Sequence, residues 1–249
     1  ITITVDNVAD MSQVVALDAV TAVNLILTGG VSDTAANYST IAGVEQAGLA
    51  AIRLQDNDAA ITVTSAVNML QFVDLNAATS ADINLAGGIS DLADNLMEAS
   101  GDTADARFTN ARTQDDNVAV TITGANPAVA QLNAIAALTT GKVTASISGN
   151  IADLVALTTA GTDDITITVD NAADIAQTIA LDAVTAVNLN LAGGISGTAI
   201  SMMNAGGTVA VTGFTNATTQ DDNVAVTITG ENPAVAQLNA IAALTTGKV

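Results

Sequence analysis

Short runs that alternate β-branched apolar residues with threonine recur along the chain. They are ITITV at 1–5, ITVT at 61–64, VTITG at 120–124 and 226–230, and ITITV at 165–169. An alternation with a period of two is typical of a strand with one buried face, so the threonines are expected to face water. The predicted strands begin near Ile1, Val23, Ile61, Ile83, Val120, Val143, Ile165, Val187 and Val226.

Apolar residues at helical spacing follow several of these runs. In NPAVAQLNAIAAL at 126–138, Asn126 is placed to cap a helix and Pro127 to take its first position. In DNAADIAQTIALDAV at 170–184, Asp170 or Asn171 is the expected cap. The residues expected to face inward are Val129, Leu132, Ile135, Ala136 and Leu138 in the first helix and Ile175, Ile179 and Leu181 in the second.

Whole segments are repeated almost unchanged. Residues 115–143 differ from 221–249 only where Ala125 becomes Glu231, and residues 1–35 differ from 165–199 at nine positions. Strand starts about 22 residues apart leave room for one strand, one short helix and two turns, which forces successive strands to be parallel. The sequence therefore predicts one α/β solenoid over residues 1–249, with about nine coils. A pure β-helix, in which the helical segments are further strands, is the alternative.

Three units are longer than the rest: 23–60, 83–117 and 187–223. Each opens with a strand and a Gly-Gly pair and closes with an acidic segment. We interpret the extra residues as insertions on one side of the solenoid. The closing segments hold Arg53, Arg107, Arg112, Phe108 and Phe214.

The composition argues against several classes of function. The formal charge of -20 makes nucleic acid a poor partner. The chain has no His, Cys or Trp, which removes the common catalytic triads, thiol nucleophiles and thiolate metal sites. A glycosidase needs only carboxylates, but its sugar platform is normally aromatic, and the aromatic residues are few. We expect a protein that is not an enzyme. The aromatic residues are Tyr38, Phe72, Phe108 and Phe214.

Three segments resemble a known kind of repeat. GGVSDTAANY at 29–38, GGISDLADNL at 87–96 and GNIADLVAL at 149–157 are similar to the S-D-T-A-A-N type repeats of very large secreted and cell-surface proteins of Gram-negative bacteria, cyanobacteria included. The resemblance covers nearly the whole chain. It implies an extracellular adhesin, surface-layer protein or filament protein, often exported without an N-terminal signal, and it carries over no catalytic residue.

Aspartate pairs stand just before several predicted strands. Calcium takes six to eight oxygen ligands, so these turns are candidate calcium sites where neighbouring carbonyls help. The competing hypothesis is that Asp and Asn end the coils and keep the protein soluble. The candidate ligands are Asp56, Asp58, Asp115, Asp116, Asp163, Asp164, Asp221 and Asp222.

Architecture and composition predict a structural repeat rod, and the resemblance implies that it is an extracellular protein, part of a filament, surface layer or adhesin stalk. Self-association end to end or laterally is the expected partnership, and membrane insertion is not expected because no apolar run is long enough. We expect a segment of a longer or processed protein. The alternatives are an adhesin module that binds a glycan or a protein with calcium as stabiliser and, less favoured, ice binding by the exposed threonines.

Overall fold

The computed structural model describes residues 2–21, 24–99, 101, 103–124, 126–204, 206–230 and 232–249. The strand starts predicted at Ile1 and Val23 lie outside the described residues, as do the two positions, 125 and 231, at which the longest repeats differ. The chain forms two compact units. The first comprises residues 1–123 and 137–142, and the second comprises residues 124–136 and 143–249.

The first unit alternates short strands with short helices. Its strands pair in parallel as β1 with β2, β3 with β4, β4 with β5, and β6 with β7. The strands are β1 (Ile3–Thr4), β2 (Leu25–Ile26), β3 (Val31–Asp33), β4 (Ile61–Val63), β5 (Ile83–Asn84), β6 (Ile89–Leu92) and β7 (Val120–Thr123). The helices are α1 (Met11–Val20), α2 (Ala35–Tyr38), α3 (Ala47–Gln55), α4 (Met69–Ala78), α5 (Ala93–Leu96) and α6 (Ala106–Gln114).

The second unit repeats this organisation. Helix α7 (Val129–Leu138) begins in the second unit, and its last two residues belong to the first. Strand β8 pairs in parallel with β9, and β10 pairs in parallel with β11. The remaining elements are β8 (Val143–Gly149), α8 (Ile151–Leu154), β9 (Asp164–Val169), α9 (Ile175–Asp182), β10 (Ile195–Thr198), α10 (Ala199–Met202), α11 (Thr212–Gln220), β11 (Val226–Thr229) and α12 (Val235–Ala242).

Parallel pairing and the alternation of strands with helices confirm a mixed α/β protein. The pure β-helix alternative is wrong, because helices α7 and α9 occupy segments that it assigned to strands. The inferred insertions are not irregular loops. Their closing segments are the second helices α3, α6 and α11, which pack against α1, α4 and α9 respectively.

Each long unit carries a strand directly after its Gly-Gly pair that the sequence analysis missed. These strands, β3, β6 and β10, pair with the strand of the following coil. The turn requires glycine twice: a Cβ on Gly87 would lie 2.1 Å from the carbonyl carbon of Ser65, and Gly88 has a φ of +79°. The strand predicted at Val187 is wrong, since only Asn190 there makes a single parallel bridge, to Thr168.

Both predicted helix caps are also wrong. Helix α7 begins at Val129, two residues after Pro127, and Asn126 instead has a φ of +52° and accepts a hydrogen bond from the Ser148 N–H through its side chain at 2.5 Å.

Helix α9 is capped by Asp174, whose side chain accepts from the Gln177 N–H at 2.8 Å. Asp170 and Asn171 stand too early, because Ala173 is still extended and pairs with Ile195.

The predicted inward positions are largely confirmed. The side chains of Val120, Ile122, Ile165, Ile167, Val169 and Val226 are buried, and those of Ile3, Val5 and Ile228 are partly buried. Leu132, Ile135, Ile175 and Leu181 are buried in their helices.

The inward prediction is wrong for Ile179, which is 46% exposed. Its tip lies against Gly213 of α11, where a Cβ would be 2.5 Å from Ile179 Cδ1. This side chain therefore packs between two helices rather than toward the sheet.

Candidate functional site

Three of the predicted calcium ligands hold the backbone of a neighbouring strand segment. Asp56, Asp115 and Asp221 are the C-cap residues of α3, α6 and α11. Through Oδ2, Asp115 accepts the N–H of Leu85 at 2.9 Å, and Asp221 accepts the N–H of Leu191 at 2.8 Å. Asp56 accepts the N–H of Leu27 in the same way.

The glutamine before each of these aspartates extends the contact. Gln114 Oε1 accepts the N–H of Ile83 at 3.0 Å, and Gln220 Oε1 accepts the N–H of Leu189 at 3.2 Å. The amide nitrogens of Gln55, Gln114 and Gln220 donate to side chains near the C-terminal ends of α1, α4 and α9. Their acceptors are Asp18 at 3.2 Å, Asn76 at 3.4 Å and Asp182 at 2.5 Å.

We call the pairs Gln55–Asp56, Gln114–Asp115 and Gln220–Asp221 the Gln–Asp clamps. Their place in the fold explains them. The segment before each Gly-Gly pair bonds to an earlier strand, β1, β4 or β9, whereas the strand after the pair bonds to a later one, β4, β7 or β11. An unpaired strand N–H group costs free energy when it is buried, and when exposed it can pair with another chain. The sequence signal was the Gln-Asp dipeptide repeated in all three closing segments, whose role was missed.

The first aspartate of the fourth pair bonds both its own turn and the preceding strand β8. Asp163 is buried, and its carboxylate accepts the N–H of Val143 and the N–H of Ala160, both at 2.9 Å. Asp164 lies in β9, in register with Thr144 of β8. This pair is therefore split between a buried turn and a strand.

The second aspartates of the other turns are exposed. Asp116 and Asp222 use their backbone carbonyls, which accept the N–H of Thr140 at 3.2 Å and of Thr246 at 2.8 Å. Asp58 lies beside Asp56. Burial raises the pKa of Asp56 above its ordinary value, the N–H of Leu27 opposes this, and the neighbouring Asp58 carboxyl adds to it.

The eight candidate ligands thus lie at four separate turns. Within the described ranges, no group of three or more Asp, Glu, His or Cys side chains is placed to hold a metal ion. In each of the four pairs at least one carboxylate already accepts a backbone N–H.

The S-D-x-A-x-N segments also join coils. Asp33 Oδ2 accepts the N–H of Met11, the first residue of α1, at 3.0 Å, and its Oδ1 accepts from the Asn37 amide at 2.7 Å. Asp91 does the same for Met69 at 2.8 Å and Asn95 at 2.6 Å. Each of these aspartates therefore caps the helix of the coil before it.

Burial acts to raise the pKa of Asp33, but the N–H of Met11 and the amide of Asn37 outweigh it, so the pKa lies below its ordinary value. The corresponding segment of the third long unit, 187–223, lacks this carboxylate, because Gly197 and Ser201 stand where Asp33 and Asn37 stand in the first.

Buried threonines link segments of the chain at a nearly constant sequence separation. The hydroxyls of Thr79, Thr139, Thr185 and Thr245 donate to the backbone carbonyls of Ala59, Val118, Ile165 and Val224, at 2.6–2.7 Å and 20 or 21 residues earlier. Each hydroxyl also accepts the N–H two residues further on. A hydroxyl that donates and accepts at once leaves no buried polar group unpaired.

Two Gln–Asp clamps border polar clefts, one in each unit. The cleft beside Gln114–Asp115 has a volume of about 450 Å³, with Asp82, Asn84 and Asn117 on its walls. The cleft beside Gln220–Asp221 has a volume of about 510 Å³, with Asn188, Asn190 and Asn223 in the corresponding places. We call these the amide clefts.

The described part of the protein offers no exposed aromatic platform and no long threonine array. Tyr38, Phe72, Phe108 and Phe214 are all buried. The outward rows are in register, for example Ser146 with Thr166 and Ser148 with Thr168, but each spans short strands.

Comparison with known proteins finds no matching family model, no similar curated protein and no similar solved structure. Among the described residues, no helix has the length and apolar character required to cross a bilayer.

Proposed function

We propose that this chain is an α/β solenoid and that it serves as a structural extracellular protein, the repeat rod of a filament, surface layer or adhesin stalk. Catalysis has no part in this proposal. The single observation that carries it is how the polar side chains are used. Four of the eight candidate ligands, Asp56, Asp115, Asp163 and Asp221, accept a backbone N–H from 20 to 30 residues earlier in the chain. Asp33, Asp91 and the buried threonines make bonds of the same kind.

The regular separation of these bonds supports the solenoid. Asp33 and Asp91 reach 22 residues back, and Thr139 and Thr245 reach 21 residues back. In a solenoid each coil contacts its neighbours, so contacts recur at the repeat length. An enzyme site would instead gather polar groups from distant parts of the chain into one pocket.

Self-association follows from the repetition. Because residues 115–143 and 221–249 differ at one position, one chain presents nearly the same surface twice. A partner surface that fits one copy also fits the other, and contacts of this heterologous kind build open assemblies. We therefore propose end-to-end or lateral assembly of copies at the cell surface.

The test combines small-angle scattering, light scattering and electron microscopy on the purified chain over a wide concentration range. We expect an elongated particle at low concentration and filaments or sheets at high concentration. A radius of gyration of about 18 Å, as for a compact globule of this length, would overturn the solenoid. A monodisperse monomer at every concentration would overturn the assembly while leaving a spacer role.

The second candidate is an adhesin module that binds a glycan or a protein, with calcium as a stabiliser. The observation that favours it is the pair of amide clefts, together with the exposed carboxylates of Asp116 and Asp222 beside them. Immobilised glycans and proteins from cell surfaces, probed with the chain in calcium and in chelator, separate this candidate from a purely structural one.

A further inference from the structure

The amide clefts place exposed asparagine side chains at the same two positions in both units. Asn84 and Asn117 in the first cleft, and Asn190 and Asn223 in the second, are exposed. None of these four side chains makes a hydrogen bond within the described part of the chain, whereas the Gln–Asp clamp beneath them is held at both ends. Each cleft therefore presents amide groups without a partner among the described residues, next to a Gln–Asp clamp that hydrogen bonds hold in place.

The chemistry of these amides selects the ligand class. Each asparagine offers two N–H donors and one carbonyl acceptor from a single planar group. A calcium or magnesium ion takes oxygen ligands, so it would leave the N–H donors of these amides unused. A sugar hydroxyl both donates and accepts, so a saccharide can use the N–H groups and the carbonyl of each amide.

The size of the clefts agrees with a small ligand. Volumes of about 450 and 510 Å³ fall in the range of roughly 300–1,000 Å³ that is usual for small-molecule sites. The clefts hold no cationic side chain, so an anionic ligand would find no counter-charge there.

The first Gln–Asp clamp supplies an internal contrast. At Gln55–Asp56 the positions that correspond to Asn84 and Asn117 are Ile26 and Asp58. The first clamp is therefore formed without an asparagine at either of these two positions. The amides are therefore not needed to build the clamp.

We propose that the two amide clefts are a duplicated binding site for a neutral saccharide, with Asn84 and Asn117 in one cleft and Asn190 and Asn223 in the other as the hydrogen-bonding residues. Without an aromatic platform each cleft binds weakly, with a Kd of about 1 mM. Two clefts on one chain, and more in an assembly, raise the avidity for a repeating polysaccharide. The proposal holds whether or not the chain forms filaments.

The test measures binding of soluble neutral mono- and oligosaccharides by ligand-observed NMR titration, and binding of immobilised neutral and acidic glycans on an array. The site variant combines Asn84→Ala, Asn117→Ala, Asn190→Ala and Asn223→Ala. The control combines Asn110→Ala and Asn216→Ala, which change equivalent exposed asparagines on α6 and α11 outside the clefts.

We expect at least one neutral saccharide to bind, the site variant to bind it about tenfold more weakly for the two lost hydrogen bonds per cleft, and the control to match the unchanged chain. Restoring the asparagines of one cleft only should recover half the binding capacity. No neutral saccharide bound at about 10 mM, binding restricted to acidic glycans, or equal binding by the site variant would each overturn the proposal.

Discussion

Asp115 accepts a hydrogen bond from the backbone N–H of Leu85, thirty residues earlier in the chain, at 2.9 Å. Leu85 is buried and lies in the segment that leads into the Gly-Gly turn. A side chain thus takes the place that the carbonyl of a neighbouring strand would have in a continuous sheet. Asp221 repeats the contact with Leu191 at 2.8 Å in the second unit.

Removing this acceptor should destabilise the protein. We expect Asp115→Ala to lower the free energy of unfolding by about 1–3 kcal/mol, because the N–H of Leu85 loses its partner. Asp115→Asn retains an acceptor oxygen and should cost less. Urea unfolding followed by circular dichroism measures both, with Asp116→Ala as the exposed control. If Asp115→Ala lowers the free energy of unfolding no more than Asp116→Ala does, the clamp does not stabilise the protein.

Calcium should have little specific effect on stability if the clamps already satisfy these turns. We expect the same melting temperature in chelator and in about 5 mM calcium at matched ionic strength, since a ligand stabilises only by binding the folded state. A calcium-specific rise that disappears in Asp115→Asn combined with Asp116→Asn would instead establish the calcium site proposed from the sequence.

The buried face of β9 provides a test of strand register. Ile167 is fully buried, while its neighbour Thr166 is exposed. Ile167→Asp should lower the free energy of unfolding by several kcal/mol, because it places an unpaired charge in the core. Thr166→Asp, one position away, should change it by less than about 1 kcal/mol. Thermal melts that rank the two variants the other way would mean that the register is wrong.

Period-two alternation predicted the strands well because it reports burial directly. Val120, Ile122, Ile165 and Ile167 are buried as their pattern requires. The helix starts failed for a tertiary reason. Asn171 has the residue type of a cap, but Gly193 packs against its backbone and Ala173 still pairs with Ile195. The helix therefore begins only after Asp174, which is its N-cap.

The candidate site could be located from the sequence but not understood from it. The acidic turns were found by composition, which cannot tell a carboxylate that awaits a cation from one that accepts an N–H. That distinction depends on Leu85 and Leu191, each 30 residues away from its acceptor. The amide clefts were missed because Asn84 and Asn117 lie in different segments and meet only in the fold.

Acid should weaken the protein partly through Asp33. Its pKa lies below the ordinary value in the folded state, so its contribution is complete above the ordinary aspartate pKa of about 4 and is lost as the pH falls through the folded value. We expect Asp33→Asn to flatten the decline of unfolding free energy below pH about 4. Asp116→Asn, whose carboxylate makes no hydrogen bond within the described residues, is the control. An unchanged slope for Asp33→Asn would rule this contribution out.

The segment of the long unit 187–223 that corresponds to the S-D-x-A-x-N segments has a glycine in place of the aspartate. Introducing the aspartate should stabilise the second unit. Gly197 stands where Asp33 and Asp91 cap the preceding helix, so the N–H of Ile175 at the start of α9 has no such carboxylate.

Gly197→Asp alone is crowded, since a Cβ there would lie 2.7 Å from Ser201 Oγ. In the other copies the residue corresponding to Ser201 is an asparagine that donates to the aspartate. We therefore expect Gly197→Asp combined with Ser201→Asn to raise the free energy of unfolding by about 0.5–2 kcal/mol, the usual worth of a helix cap. Chemical denaturation measures it, and the reverse pair Asp91→Gly with Asn95→Ser should lose a similar amount. A double variant less stable than the unchanged chain would mean that capping between coils does not stabilise this position.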